Sequence, residues 1–146
     1  MHCKPTYNYP KDNAHYLNAL MDTLASFEFN THSPFTDYFT PPITATLDTL
    51  RQITLTLPSF EPKIAMRFPN QTDKAELLLF VYATNFASNN PIAQAHLLLP
   101  IDKQTPIQPA TTWTSPPLPD GFFILVCTKI MYYKSNPFTG KDYVNN

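Results

Sequence analysis

Glycine is nearly absent from this chain of 146 residues, which contains two glycines and sixteen prolines. At average usage, a chain of this length would hold about ten glycines and about seven prolines. Glycine supplies the tight turns of phosphate-binding loops and of nucleophile elbows. Because Gly121 and Gly140 lie nineteen residues apart, neither G-x-G-x-x-G nor G-x-S-x-G can occur. The shortage excludes the enzyme classes that depend on those loops.

Charge is also scarce. Charged residues make up 14% of the chain, and the formal net charge is −1. Duplex-binding surfaces gather Lys and Arg on one face, whereas the 10 such residues here are spread along the sequence. Lys129, Lys134 and Lys141 alternate with aromatic residues, which keeps a weak single-stranded nucleic-acid binder as an alternative. The composition argues against nucleic acid as the main partner.

Cysteine is limited to Cys3 and Cys127. Two cysteines do not form a disulfide framework, so we predict free thiols in a reducing compartment, with one end-to-end bridge as the alternative. No apolar stretch follows Met1, and no apolar run reaches the ~20 residues of a spanning helix. We therefore expect a soluble protein of the cytoplasm or of a viral particle, with no membrane partner.

Residue patterns that would carry chemistry are missing as well. His2, His15, His32 and His96 show no metal-ligand spacing. Cys127 lies in an apolar strand, where a buried thiol would be inert. We predict no catalytic residue, no metal, no cofactor and no small-molecule substrate. A small enzyme that gathers His15, His32 or His96 with an Asp in a cleft is the alternative.

Hydrophobic residues, at 43%, are numerous enough to build one core. We predict a single domain, residues 1–146. Its expected parts are an N-terminal arm (1–11), a helix (12–29), a sheet (52–134) that contains a proline-rich loop (100–120), and a C-terminal tail (135–146). Proline avoids the interior of helices and strands, so the proline-free windows should hold the regular structure.

The apolar spacing within these windows predicts an α+β fold. One amphipathic N-terminal helix packs on a mostly antiparallel sheet of about five strands. The expected strands are 52–57, 63–68, 75–86, 93–99 and 122–133, and helix remains open for 75–86. A helical turn or a loop is expected after Pro41 and Pro42, ahead of strand 52–57. Asparagines should replace glycine in the turns, and Asp120-Gly121 should form one.

Aromatic and proline-rich segments indicate contact with another protein. Residues 115–119 favour an extended polyproline conformation that an aromatic groove can capture, unless Trp113 packs the loop back on its own domain. Both ends are rich in tyrosine and phenylalanine, which either contact a partner or cover the domain's own surface. The predicted partner-binding residues are Tyr7, Tyr9, Trp113, Pro116, Pro117, Leu118, Pro119, Phe138 and Tyr143.

The function predicted from these features is that of a non-enzymatic protein-binding or assembly component. It would bind another protein or copies of itself. A structural or inhibitor protein of a virus or mobile element is the setting we expect.

Overall fold

The computed structural model describes residues 2–6, 32–84 and 93–144, which form two antiparallel sheets over a shared apolar core. In chain order the elements are β1 (His2–Thr6), α1 (Phe35–Tyr38), β2 (Thr44–Leu47), β3 (Ile53–Leu57), α2 (Pro62–Ala65), β4 (Lys74–Thr84), β5 (Ala93–Asp102), β6 (Thr111–Thr114), β7 (Phe123–Asn136) and β8 (Gly140–Val144). The larger sheet has the order β1-β7-β4-β5, with β8 also paired to β7. The smaller sheet has the order β2-β3-β6.

The long strand β7 organises the larger sheet. One of its edges pairs with β4 over eleven residues, from Lys74↔Tyr133 to Thr84↔Phe123. Its other edge pairs first with β1 and then with β8, because β1 covers residues 124–128 and β8 covers residues 132–136. Both ends of the chain therefore join the sheet through the same strand.

The core lies between the two sheets and follows the two-residue period of their strands. In β4 every second residue is buried on one face, from Ala75 to Ala83. The facing strand β3 buries Ile53, Leu55 and Leu57. Each large aliphatic side chain buried in this way contributes about 1.5–3 kcal/mol. Residues 53–57 alternate between apolar and polar, and β4 is apolar on both of its faces. These two patterns account for the layered structure.

The predicted fold class, a helix packed on one α+β sheet, is wrong. The described chain is mostly β-strand, divided between two sheets, and its two helices have four residues each. The predicted helix 12–29 lies outside the described residues. The predicted limits of the sheet, 52–134, are also too narrow, because β1 lies in the expected arm and β8 in the expected tail. The expected proline-rich loop, 100–120, contains β6 and the end of β5.

The strand predictions succeed where apolar residues dominate. Residues 75–86, 93–99 and 122–133 correspond to β4, β5 and β7, and residues 52–57 to β3. The predicted strand 63–68 is wrong, because Pro62 begins α2 and its carbonyl accepts the N–H of Met66 at 3.1 Å. The predicted helical turn or loop after Pro42 is wrong too, because residues 44–47 pair with β3 as strand β2.

Turns use few asparagines in the left-handed conformation. The predicted turn at Asp120-Gly121 is present, and Gly121 has a φ of 77°. Among the described residues other than glycine, the positive φ values belong to Arg51 (62°) and Gln71 (65°). The side chain of each of these residues also forms a hydrogen bond with a segment distant in sequence.

Cys127 is disulfide-bonded, so the prediction of free thiols is wrong and the alternative of one end-to-end bridge fits. Cys3 is the only other cysteine and stands directly opposite Cys127 in the β1–β7 register. Antiparallel pairing brings such opposed residues within reach of a disulfide. The sequence could not show this, because the two residues meet only after β1 and β7 have paired.

We expect Cys127→Ala to lower the free energy of unfolding by roughly 2–5 kcal/mol, because the bridge restricts the unfolded chain over almost its whole length. Urea unfolding of the wild type with and without reductant measures the same loss. Cys3→Ala should give an equal loss, and the double variant should lose no more than either single variant. Additive losses would contradict a shared bridge.

Tyr132 places a hydroxyl in the core. The residue is 2% exposed, its ring centroid lies 5.5 Å from that of Phe68 in an edge-on contact, and its Oη has no hydrogen-bond partner among the described residues. Burial raises the pKa of Tyr132 above its ordinary value. A buried hydroxyl without a partner costs free energy because it has lost its bonds to water.

Tyr132→Phe should therefore raise the free energy of unfolding by about 1 kcal/mol. Thermal or urea unfolding measures the change. Tyr143→Phe is the matched control, because the hydroxyl of Tyr143 donates a hydrogen bond to Glu76 at 2.9 Å. That substitution should destabilise the protein. If both variants shift stability in the same direction, this account of Tyr132 fails.

Candidate protein-interaction site

The hairpin formed by the end of β7 and by β8 extends past the rest of the larger sheet. Strand β4 begins at Lys74, opposite Tyr133. In the described part of the chain, residues 134–136 of β7 therefore pair only with β8, and residues 137–139 form the turn. At about 3.4 Å per residue, the three pairs and their turn project roughly 10 Å beyond β4.

Side chains fix the turn of this hairpin. The Oδ1 atom of Asn136 accepts hydrogen bonds from the N–H groups of Phe138 at 2.8 Å and Thr139 at 3.3 Å. The Asn136 amide and the Thr139 hydroxyl donate to the two carboxylate oxygens of Asp142. These bonds lower the pKa of Asp142, with the Asn136 amide as the largest cause. Gly140 closes the turn with a φ of 87°, a conformation that favours glycine.

Phe138 stands at the tip of this turn with its side chain in solvent. It is 94% exposed, more than the other large hydrophobic residues exposed in the described part of the chain. Its backbone is held by the bond to Asn136. An aromatic ring on an ordered turn loses little conformational freedom when a partner buries it.

The base of the hairpin is anchored on a buried carboxylate. Glu76 of β4 is 3% exposed and forms an ion pair with Lys141 of β8. The hydroxyl of Tyr143, also on β8, donates to the second carboxylate oxygen at 2.9 Å. Because β8 does not pair with β4, these contacts tie the two strands together across β7. The bond to Lys141, followed by that to Tyr143, lowers the pKa of Glu76 against the opposing effect of burial.

Further contacts surround this anchor. The rings of Tyr133 and Tyr143 lie 5.6 Å apart, and the Lys141 ammonium lies 5.1 Å from the centre of the Tyr133 ring. Lys134 donates to the side chain of Gln71 at 2.8 Å. The bond to Glu76 raises the pKa values of Lys141 and Tyr143. These pKa shifts keep the Glu76 carboxylate ionised and keep Lys141 and Tyr143 protonated. The three side chains can therefore hold the hairpin rigidly, but they are not tuned for proton transfer near neutral pH.

The structure holds the predicted proline-rich segment against the smaller sheet. Leu118 is buried, and its N–H donates to the carbonyl of Arg51 at 2.8 Å. The guanidinium of Arg51 donates to the carbonyl of Pro119 at 2.7 Å. The hydroxyl oxygen of buried Ser115 accepts the N–H of Ile53 at 3.0 Å. Residues 115–119 are thus attached to their own domain.

The remaining predicted partner-binding residues fall in different places. Trp113 is half-buried on β6, opposite Leu55. Pro116 and Pro117 are exposed, and Pro119 is half-buried. Tyr7 and Tyr9 lie outside the described residues. The structure places Phe138 and Tyr143 on one hairpin.

An apolar cavity of about 160 Å³, which the sequence interpretation missed, lies between residues 35–45 and β7. Its lining includes Phe35, Phe39, Pro42, Ile43 and Val126. A cavity of about 150 Å³ can hold benzene, so this one has room for one aromatic or aliphatic group. Its polar lining consists of threonines, which do not titrate. One sequence feature could have indicated this cavity, namely the four-residue spacing of Phe35 and Phe39 ahead of two prolines.

Within the described ranges, few features support metal binding or histidine-based catalysis. They contain no group of three His, Cys, Asp or Glu side chains placed to hold a metal ion. His32 and His96 are both exposed, and His15 lies outside those ranges. Neither of the two four-residue helices has the length to cross a bilayer. Comparison with protein-family models, curated proteins and solved structures finds no match to this chain.

The Glu76 anchor predicts a specific pH dependence. A carboxyl group with a lowered pKa contributes stability that is fully present above its ordinary value of 4.5 and is lost as the pH falls through the lowered value. Glu76→Gln should destabilise the protein at neutral pH and reduce the further loss on acidification. Urea unfolding over a pH series measures both effects.

Glu61→Gln is the matched control, because Glu61 is exposed and its side chain does not cap α2. That variant should retain the wild-type pH profile. If Glu76→Gln and Glu61→Gln give the same profile, Glu76 does not anchor the hairpin.

Proposed function

We propose that this protein is a non-enzymatic binding protein that docks on another protein through the β7–β8 hairpin, with Phe138 as the anchor. The observation that supports this most is the 94% exposure of Phe138 on a turn fixed by side-chain hydrogen bonds. A large apolar ring exposed on an ordered turn contributes little to the stability of its own domain. Its burial by a partner contributes about 1.5–3 kcal/mol.

The surroundings of Phe138 suit an interface centre. Binding hot spots are commonly aromatic residues encircled by polar groups that exclude water without contributing much affinity. Asn136, Thr139 and Asp142 form such a polar rim. Because these residues also order the turn, the hairpin loses little conformational entropy when it binds a partner.

The disulfide at Cys127 supports a setting for this function. Disulfides persist in oxidising environments and are rare where glutathione keeps thiols reduced. We therefore propose that the protein acts outside the reducing cytosol or in an assembled particle. Its low charge and its exposed aromatic tip fit an assembly or inhibitor component of a virus or mobile element.

Phe138→Ser should abolish partner capture and leave folding intact, because its side chain makes no contribution to the core. The wild type and the variant, each immobilised, are exposed to native extract, and retained proteins are identified and purified. With the purified partner, the substitution should weaken binding by roughly thirtyfold or more, the loss expected at a hot spot of about 2 kcal/mol.

Ile107→Ser is the matched control, since Ile107 is a 58% exposed hydrophobic residue in the loop between β5 and β6, outside the hairpin. It should retain the same partner with unchanged affinity. Asn136→Ala should weaken binding to a smaller extent, because the ring remains and the turn loosens. A partner that binds Phe138→Ser as tightly as the wild type would overturn the proposal.

A further inference from the structure

Strand β5 forms an open edge of the larger sheet. One side of β5 pairs with β4 over ten residues, from Lys74↔Asp102 to Ala83↔Ala93. Within the ranges that the structure describes, its other side pairs with nothing. On the opposite edge of the sheet, β1 and β8 have five residues each. The ten-residue edge of β5 is therefore a far longer template for an added strand.

The backbone groups that face this open edge belong to the even-numbered residues. The N–H of Lys103 donates to the carbonyl of Asp73 at 2.8 Å, which continues the β4–β5 ladder by one pair. In an antiparallel ladder, hydrogen-bonded pairs alternate with pairs that are not bonded. The odd-numbered residues of β5 thus direct their backbone groups to β4, and Gln94, His96 and Leu98 direct theirs outward. Pro100 fits this pattern, because its nitrogen, which cannot donate, faces away from β4.

The side chains of these even-numbered residues lie on the face of the sheet that is turned away from the core. Gln94, His96 and Pro100 are exposed, and Leu98 is 45% exposed. Natural proteins commonly protect a long edge strand with inward-pointing or flanking charges, especially lysine. Residues 93–101 of β5 contain no Lys, Arg, Asp or Glu. Apart from Pro100 and Asp102 at its C-terminal end, and Lys103 directly after it, the edge carries no such protection.

We propose that the open edge of β5 pairs with the same edge of a second copy of this chain, antiparallel about a two-fold axis at Leu97. This arrangement uses the whole strand, since residues 93 and 101 are equally distant from residue 97. His96 then lies opposite Leu98 of the second copy, and Gln94 lies opposite Pro100. Gln94, His96 and Leu98 each donate one hydrogen bond from each copy, which gives six between the copies.

Self-pairing is favoured over capture of a foreign strand because the edge is complementary to itself. The two-fold pairs residues of the same face, so Leu97 meets Leu97 of the second copy and Ala95 meets Leu99. Leu97 and Leu99 are half-buried at the rim of the core, so the added strand extends the apolar layer that they begin. No charged side chain opposes another in this register. Because each copy uses its one long edge, the assembly closes at two copies.

Hydrogen exchange and mass measurement of the purified protein test this proposal. Light scattering during gel filtration and sedimentation over a concentration series should show a dimer. In the dimer, the amides of Gln94, His96 and Leu98 should exchange slowly. Dilution to monomer should make these three amides fast and leave those of Leu97 and Leu99 slow, because the latter bond to β4. Fast exchange of the Gln94, His96 and Leu98 amides in the dimer would overturn the proposal.

Two variants test whether the dimer forms through the β5 edge or through another surface. His96→Pro removes an outward donor without removing a bond to β4, and Leu98→Lys places a charge on the edge in case the proline variant fails to fold. Each should weaken dimerisation by roughly tenfold or more. The matched controls His96→Val and Ser59→Lys, the latter at an exposed loop residue, should dimerise like the wild type.

The outcome of these dimerisation experiments does not depend on the proposal for the β7–β8 hairpin. Phe138→Ser should leave the dimer unchanged, so that loss of partner binding and loss of dimerisation can be told apart. A wild type that stays monomeric at every concentration, or a dimer that survives Leu98→Lys and His96→Pro, would overturn pairing through β5.

Discussion

Eleven consecutive residue pairs join β4 to β7, and the positions of the other functional features depend on this ladder. It buries one face of both strands against β3 and leaves the opposite edge of β7 for β1 and β8. It places Cys127 where β1 can reach it and Glu76 where β8 can reach it. Because β7 continues for three residues beyond its last pair with β4, the same ladder produces a projecting hairpin.

The scarcity of glycine is explained by this architecture. Antiparallel strands joined by side-chain-stabilised turns need few glycines, and the described turns rely on other contacts. Asp48 accepts the N–H groups of Leu50 and Gln52 at the β2–β3 turn, and Asn136 has the same role at the β7–β8 turn. Gly121 and Gly140 occupy left-handed positions, where a side chain would be strained. The absence of glycine-rich loops thus accompanies a fold built mainly from antiparallel strands.

Sequence reasoning could predict the strands whose own residues determine them. The apolar runs of β4 and β7 and the alternation of β3 indicate strand wherever they occur, because burial dominates their energetics. Residues 63–68 alternate equally well, yet Pro62 starts a local helical turn there. Strand β2 depends on its partner β3, and β8 is largely exposed and polar, so neither carries a pattern of its own. Among the site residues, Phe138 and Tyr143 could be predicted as aromatic tail residues, whereas the Glu76 anchor exists only through pairing distant in sequence.

The proposed function requires a β7–β8 hairpin that is already ordered in the free protein. Backbone ¹⁵N relaxation of the free protein across residues 134–142 tests this most directly. The contacts of Asn136 and Glu76 predict order parameters near the value of about 0.85 that rigid backbone shows. Values below about 0.6, with the β4–β7 ladder still rigid, would show a flexible tail and contradict the account.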